Sequence, residues 1–177
     1  MSSVIRDRRR LTLLGAFCLF LSMVEFMIPK PLPFLRLGLA NLPILAGLSI
    51  LNPGEVMILV ILKILGQGLI NGTLFSYIFL FSALGSLAAG LVMMLLWRFG
   101  QRFFSYIGIS ILGALASNLT QLVFSMLTVF GKEAWLIAPP FLAVGTVTAI
   151  LLGIFAQRFS LVSQWMKEER RKNEGHV

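Results

Sequence analysis

Six apolar runs follow one another almost end to end, at residues 11–29, 38–51, 54–71, 74–97, 105–130 and 139–160. A soluble domain has no way to bury so much contiguous apolar surface, whereas a lipid bilayer requires it. One spanning helix takes about 20 apolar residues, so the 177 residues have room for roughly six and little else. The chain is 58% hydrophobic and 12% charged, against about 45–50% and about 25% for an ordinary soluble domain. A single span carrying a soluble domain is excluded, because the runs cover nearly the whole length. The expected fold class is an all-α membrane protein with six transmembrane helices. They form one domain over residues 1–160, and residues 161–177 form a charged tail.

The first run follows a basic cluster, Arg6, Arg8, Arg9 and Arg10. A signal peptide has the same order, but this run ends in Phe26-Met27-Ile28-Pro29 without a small-residue cleavage site, so a retained helix is expected. The second run has 14 residues and covers only about 21 Å as a helix. That is short of the roughly 30 Å hydrocarbon core, and Pro43 interrupts it, so this segment is expected to be short, broken or partly embedded. Before the third run, Asn52 suits an N-cap, Pro53 the first helical position, and Glu55 a capping box. Pro139-Pro140 is placed in the first turn of the sixth helix.

The net charge is +8. In a soluble chain that would suggest nucleic acid; here it resolves into topology. With six spans, eleven Lys and Arg fall on the side of the termini, and Lys30, Arg36 and Lys132 on the other. The basic side is the cytoplasmic one, so both termini are expected inside a multi-pass protein of the cell inner (plasma) membrane, with no nucleic-acid partner. Trp97, Tyr106 and Trp165 then fall at the inner boundary, and Tyr77 and Trp135 at the outer one.

Ionisable groups are costly in hydrocarbon, so each one inside a span points to function first. Glu25 lies near the outer end of the first helix, Arg36 just outside the second and Asn41 one turn into it. Lys63, Gln67 and Asn71 recur every four residues and share a helix face. Tyr77 opens the fourth helix. Asn118 and Gln121 lie on the fifth, where Ser117, Gln121 and Ser125 repeat the same spacing. These groups gather in the outer half, which suggests a polar pocket open outward and closed below. The candidate substrate-binding residues are therefore Glu25, Arg36, Asn41, Lys63, Gln67, Asn71, Tyr77, Asn118 and Gln121. Each has a structural alternative. Lys63 could pair with Glu25, the amides could be interhelical hydrogen bonds, and Arg36 could be an interfacial anchor. The small-residue stripes Gly145-Ala149-Gly153, Ser82-Ser86-Gly90 and Gly113-Ser117 fit close packing within the monomer or against a partner.

Catalytic signatures are missing. The single Cys, Cys18, allows no internal disulfide and no metal-ligand spacing. The only Asp is Asp7, the only His is His176, and there is no Walker A sequence. No enzyme activity, metal or cofactor is expected from this chain alone.

The segment PLPFLRLGLANLPILAGLSILNPGEVMILVILKIL (31–65) and the later GALASNLTQL (113–122) resemble the substrate-binding S components of energy-coupling factor (ECF) vitamin transporters. The resemblance is to the Gx transporter branch that carries the label heptaprenyl diphosphate synthase component I. It implies a six-helix S-component fold whose first loop lids a pocket near the outer surface. It also implies a vitamin-like small-molecule substrate, and as partners an ECF transmembrane scaffold and two ATPase subunits. In place of the Ala-xxx-Ala spacing of S components, the first helix carries Ala16-xxx-Phe20 and Cys18-xxx-Ser22. Substrate capture for uptake, with a riboflavin-like compound as ligand, is the leading expectation. Two others stand beside it: an accessory of isoprenoid-quinone synthesis or of flavin- or quinone-linked membrane electron transfer, and a structural subunit without a ligand.

Overall fold

The computed structural model describes residues 2–28, 38–100 and 103–163. They are almost entirely helical: α1 (Ser2–Met27), a 3-10 turn (Leu39–Asn41), α2 (Leu42–Gly47), α3 (Pro53–Ile70), α4 (Tyr77–Gly100), α5 (Tyr106–Ser125) and α6 (Ala134–Val162). Five stretches are long and apolar enough to cross a membrane: Arg9–Met27, Pro53–Ile70, Tyr77–Gly100, Tyr106–Val129 and Gly131–Val162. Beside an apolar core, the distribution of burial departs from that of a soluble protein. Phe20, Leu69 and Leu151 are exposed on the periphery, while Glu25, Lys63, Gln67, Asn118 and Gln121 are buried inside. A chain surrounded by hydrocarbon has this distribution, because its polar groups must find partners within the bundle.

The segment from Gly38 to Ile50 runs alongside α1 and is not among those five. Gly38 is tied to Glu25 at one end and the carbonyl of Ile50 to Arg10 at the other. Those two points are about four turns apart on α1, or roughly 22 Å. The segment thus descends beside α1 as a 3-10 turn, six residues of α-helix and further turns, in line with the interrupted run of the sequence.

The glycine contacts fix the directions of the helices. Gly15 meets Leu62 and Gly66 meets Leu19, so α1 and α3 run parallel. Gly90 against Val60 with Gly68 against Phe79 makes α3 and α4 antiparallel. Gly113 on Met93 with Gly85 on Gln121 does the same for α4 and α5, and Gly145 on Asn118 with Gly153 on Ile107 for α5 and α6. The direction alternates from one passage to the next, so α1 begins and α6 ends at one face, called here the terminal face. Gly145, Ala149 and Gly153 are buried against α5, and Ser86 and Gly90 against α3. These stripes are therefore occupied within the monomer.

Helix ends follow local chemistry with two adjustments. Asn52 and Glu55 form the expected capping box on α3, with the Asn52 N–H donating to Glu55 Oε2 at 2.9 Å. Ser105 caps α5 by accepting from the Gly108 N–H at 3.3 Å. The fifth run is not helical in one piece: α5 gives way at Met126–Phe130 to a π turn that ends on Gly131 with φ 54°, a conformation that glycine adopts without steric cost. The sixth helix starts at Ala134, so Pro139 and Pro140 lie inside it rather than in its first turn. They leave the Trp135 and Leu136 carbonyls without helical donors, a loss confined to the second turn.

Candidate functional site

A polar cavity lies between α1, the Gly38–Asn41 turn and α3 to α6. Glu25, Gly38, Asn41, Lys63, Gln67, Ser86, Ser110, Ser117 and Asn118 line it, together with Met93, Ala114, Gly145, Ala149 and Leu152. Glu25 and Gly38 stand at the end away from the terminal face. Met93, Ser110 and Leu152 lie towards it, so the cavity is centred at mid-depth, deeper than the outer-half pocket expected from the sequence.

Lys63 dominates the site. It lies ten residues into α3, roughly 15 Å from the helix start, and is 3% exposed. Its Nζ donates to Asn41 Oδ1 at 2.6 Å and to Ser86 Oγ at 3.0 Å. The ammonium group thus ties α3 to the short descending segment and to α4. Two neutral acceptors hold it, and Glu25 supplies a carboxylate on the same cavity. Glu25 Oε1 accepts from the Gly38 N–H at 3.3 Å. Gly38 has φ 77°, so a glycine there turns the chain into the descending segment without strain.

On the opposite wall, Ser110 Oγ donates to the Ala149 carbonyl at 2.8 Å and Gln121 Nε2 to Ser117 Oγ at 3.0 Å. Asn118 differs from its neighbours. It is 5% exposed, lines the cavity, and its side chain has no hydrogen-bond partner among the described residues. Its amide rests on Gly145, where a Cβ would overlap Nδ2. A primary amide offers two donors and one acceptor, and this one faces the cavity. The amide shares that cavity with the Lys63 ammonium.

The nine sequence-based candidates divide as follows. Glu25, Asn41, Lys63, Gln67 and Asn118 come together on the cavity. Gln121 is buried one step behind it, braced on Ser117. Asn71 caps the end of α3 and is only half-buried, and Tyr77 is exposed at the start of α4 against Phe81. Neither lines the cavity, because both lie at helix ends beyond its depth. Arg36 lies outside the described residues. Sequence reasoning left Ser86 and Ser110 out of the site. Ser86 carried a signal, being level with Lys63 in an antiparallel helix pair, but its stripe reads equally well as backbone packing. Ser110 carried none.

The cavity volume is about 30 Å³, room for about one water molecule. Sites for vitamin-sized ligands measure roughly 300–1,000 Å³. Among the described residues no three His, Cys, Asp or Glu side chains gather as a metal site. Cys18 is fully buried and donates its thiol to the Ala40 carbonyl.

With this geometry in hand, the family profile described as heptaprenyl diphosphate synthase component I matches residues 14–159. The chain belongs to that family. The matched region runs from α1 through most of α6, so it contains every described residue of the cavity. No curated protein and no solved structure matches the chain.

Proposed function

We propose that this chain is a ligand-capture subunit of the cell inner (plasma) membrane, which binds a vitamin-like small molecule for uptake and carries out no catalysis itself. The observation that supports it is the pairing of a buried mid-membrane Lys63 with the unpartnered amide of Asn118 across one cavity. Lys63 ties α3 to α4 and to the descending segment, while the Asn118 amide on the same cavity has donors and an acceptor to offer an occupant. The excess of Lys and Arg in the sequence segments expected on the side of the termini supports a cytoplasmic terminal face, with the Glu25–Gly38 end outward. At its present volume the cavity takes only a small group. A riboflavin-sized ligand requires the Gly38 contact on Glu25 to open and the Gly38–Asn41 turn to withdraw. An ECF-type scaffold with two ATPases is the assembly in which such a subunit would work.

Mass spectrometry of small molecules extracted from the purified protein, paired with thermal stabilisation by a panel of vitamins, tests this reading. A single retained compound that Lys63→Met abolishes supports it; no retained compound and no stabilisation by the panel rejects it.

A second reading is favoured by the family description. Under it the chain is a membrane accessory of isoprenoid-quinone synthesis, or of flavin- or quinone-linked electron transfer. Co-purification with a prenyl synthase or a redox protein, without ATPases, would decide for it.

A further inference from the structure

We infer that the ligand is amphipathic, with an uncharged hydrogen-bonding head in the polar cavity and a hydrocarbon chain in a groove between α1, α2 and α6. This deepens the ligand-capture reading and rests on it.

The groove has a volume of about 350 Å³, more than ten times that of the cavity. Its walls include Phe17 of α1, Leu42 and Ala46 of α2, and Phe155, Ala156 and Phe159 of α6, and every residue lining it is apolar. The α2 residues in it belong to a helix of only six residues. Too short to fill the space between α1 and α6, α2 forms a floor with the two long helices as walls. Phe155 is 54% exposed and Phe159 37%, and their rings stack at 6.4 Å along one wall. The groove is thus open on the side that faces lipid.

The two spaces are neighbours. Asn41 lines the cavity and the next residue, Leu42, lines the groove. On α6, Leu152 lines the cavity and Ala156, one turn on, lines the groove. Leu42 and Leu152 therefore mark the boundary. The volumes divide the ligand: the cavity admits a hydroxyl or carbonyl, and the groove beside it has room for the remaining bulk. The charges define the head. Among the described residues the cavity is lined by one ammonium, Lys63, and one carboxylate, Glu25. A charged head would unbalance them in a low-dielectric site, whereas a neutral oxygen accepts from the Asn118 amide without doing so.

Photo-crosslinking tests the inference on the full chain in nanodiscs, with a diazirine-bearing twelve-carbon alcohol as probe. The competitors are 1-dodecanol, farnesol and 1-butanol. Expected is saturable labelling within residues 42–46 and 155–159, displaced by 1-dodecanol or farnesol and not by 1-butanol. Preferential displacement by farnesol would identify the chain as isoprenoid, and equal displacement as any hydrocarbon. Asn118→Leu should weaken labelling about two- to tenfold, the value of one hydrogen bond, and Ala46→Phe should abolish it. Should Ala46→Phe fail to fold, Phe155→Ala on the exposed rim provides the same loss of a wall. Labelling that survives Asn118→Leu unchanged, or that 1-butanol displaces equally, would overturn the inference, since the groove would then take bulk lipid independently of the cavity. If saturable labelling is absent while a Lys63-dependent compound is still extracted, the inference fails and ligand capture stands. If both are absent, both fail.

Discussion

Replacing Asn118 with leucine separates a binding residue from a structural one. Leucine keeps the branch at Cγ and nearly the same shape, and removes the two donors and the acceptor. The amide has no side-chain partner among the described residues, so the substitution breaks no hydrogen bond there and replaces an amide facing the small cavity by an apolar group, a change that is nearly neutral to stabilising. Interhelical hydrogen bonds in membranes average only about 0.6 kcal/mol, so any bond formed by relaxation shifts this little. The ligand-free protein should therefore unfold at the same temperature or a few degrees higher, since about 1 kcal/mol corresponds to roughly 2–4 °C at this chain length. Retention of the extracted ligand should fall about two- to tenfold, one hydrogen bond's worth. The assay is a thermal unfolding series in detergent, run on the same preparations used for ligand extraction. A fall of several degrees in unfolding temperature with ligand retention intact would refute the reasoning, because the amide would then be holding helices together.

Lys63→Met should act in the opposite sense on stability. It leaves Asn41 Oδ1 and Ser86 Oγ without their donor, which costs about 1–3 kcal/mol per group, partly offset by removing a buried charge; unfolding temperature should drop measurably and ligand be lost. Gly145→Ala drives a Cβ into the Asn118 amide and should cost about 1–3 kcal/mol. The double variant with Asn118→Ala should recover most of that loss in a double-mutant cycle. Asn52→Ala removes the α3 cap and should lower stability by about 1 kcal/mol without changing ligand retention. In a Cys18→Ser background, Phe75→Cys between α3 and α4 should react with an impermeant maleimide on intact cells, and Phe103→Cys between α4 and α5 should not. Both positions are highly exposed, and the reverse pattern would invert the topology.

The five long spans were legible in the sequence because hydrocarbon imposes a length on each apolar run, and the irregularity of the second segment showed itself as a 14-residue run broken by Pro43. On α3 the four-residue spacing of Lys63 and Gln67 correctly gave a shared face, since no other element alters that geometry. The depth of the site was not legible. It depends on how α4 and α5 slide against α3, and their contributions, Ser86 and Ser110, are small residues whose hydroxyls look like packing. The start of α6 was misplaced for a related reason. Pro139 and Pro140 are strong local signals for a first turn, yet Ala134–Ile137 extend the helix ahead of them, because the π turn and Gly131 had already reversed the chain.

The shortness of α2 links the two spaces that the ligand is proposed to occupy. A full-length helix in its place would fill the gap between α1 and α6. Its regular backbone would also leave no turn at Gly38–Asn41 to bring Asn41 Oδ1 against Lys63. The same truncation thus creates the apolar groove on one side and orients the polar cavity on the other. It has a cost, since Leu48 to Leu51 continue in turns rather than helix. The Arg10 guanidinium reaches from α1 to the Ile50 carbonyl at 3.4 Å and ties that end of the segment to α1. A basic residue buried at the terminal face, otherwise hard to account for beside its exposed neighbour Arg9, is then part of what lets the bundle keep a passage too short to be a helix throughout.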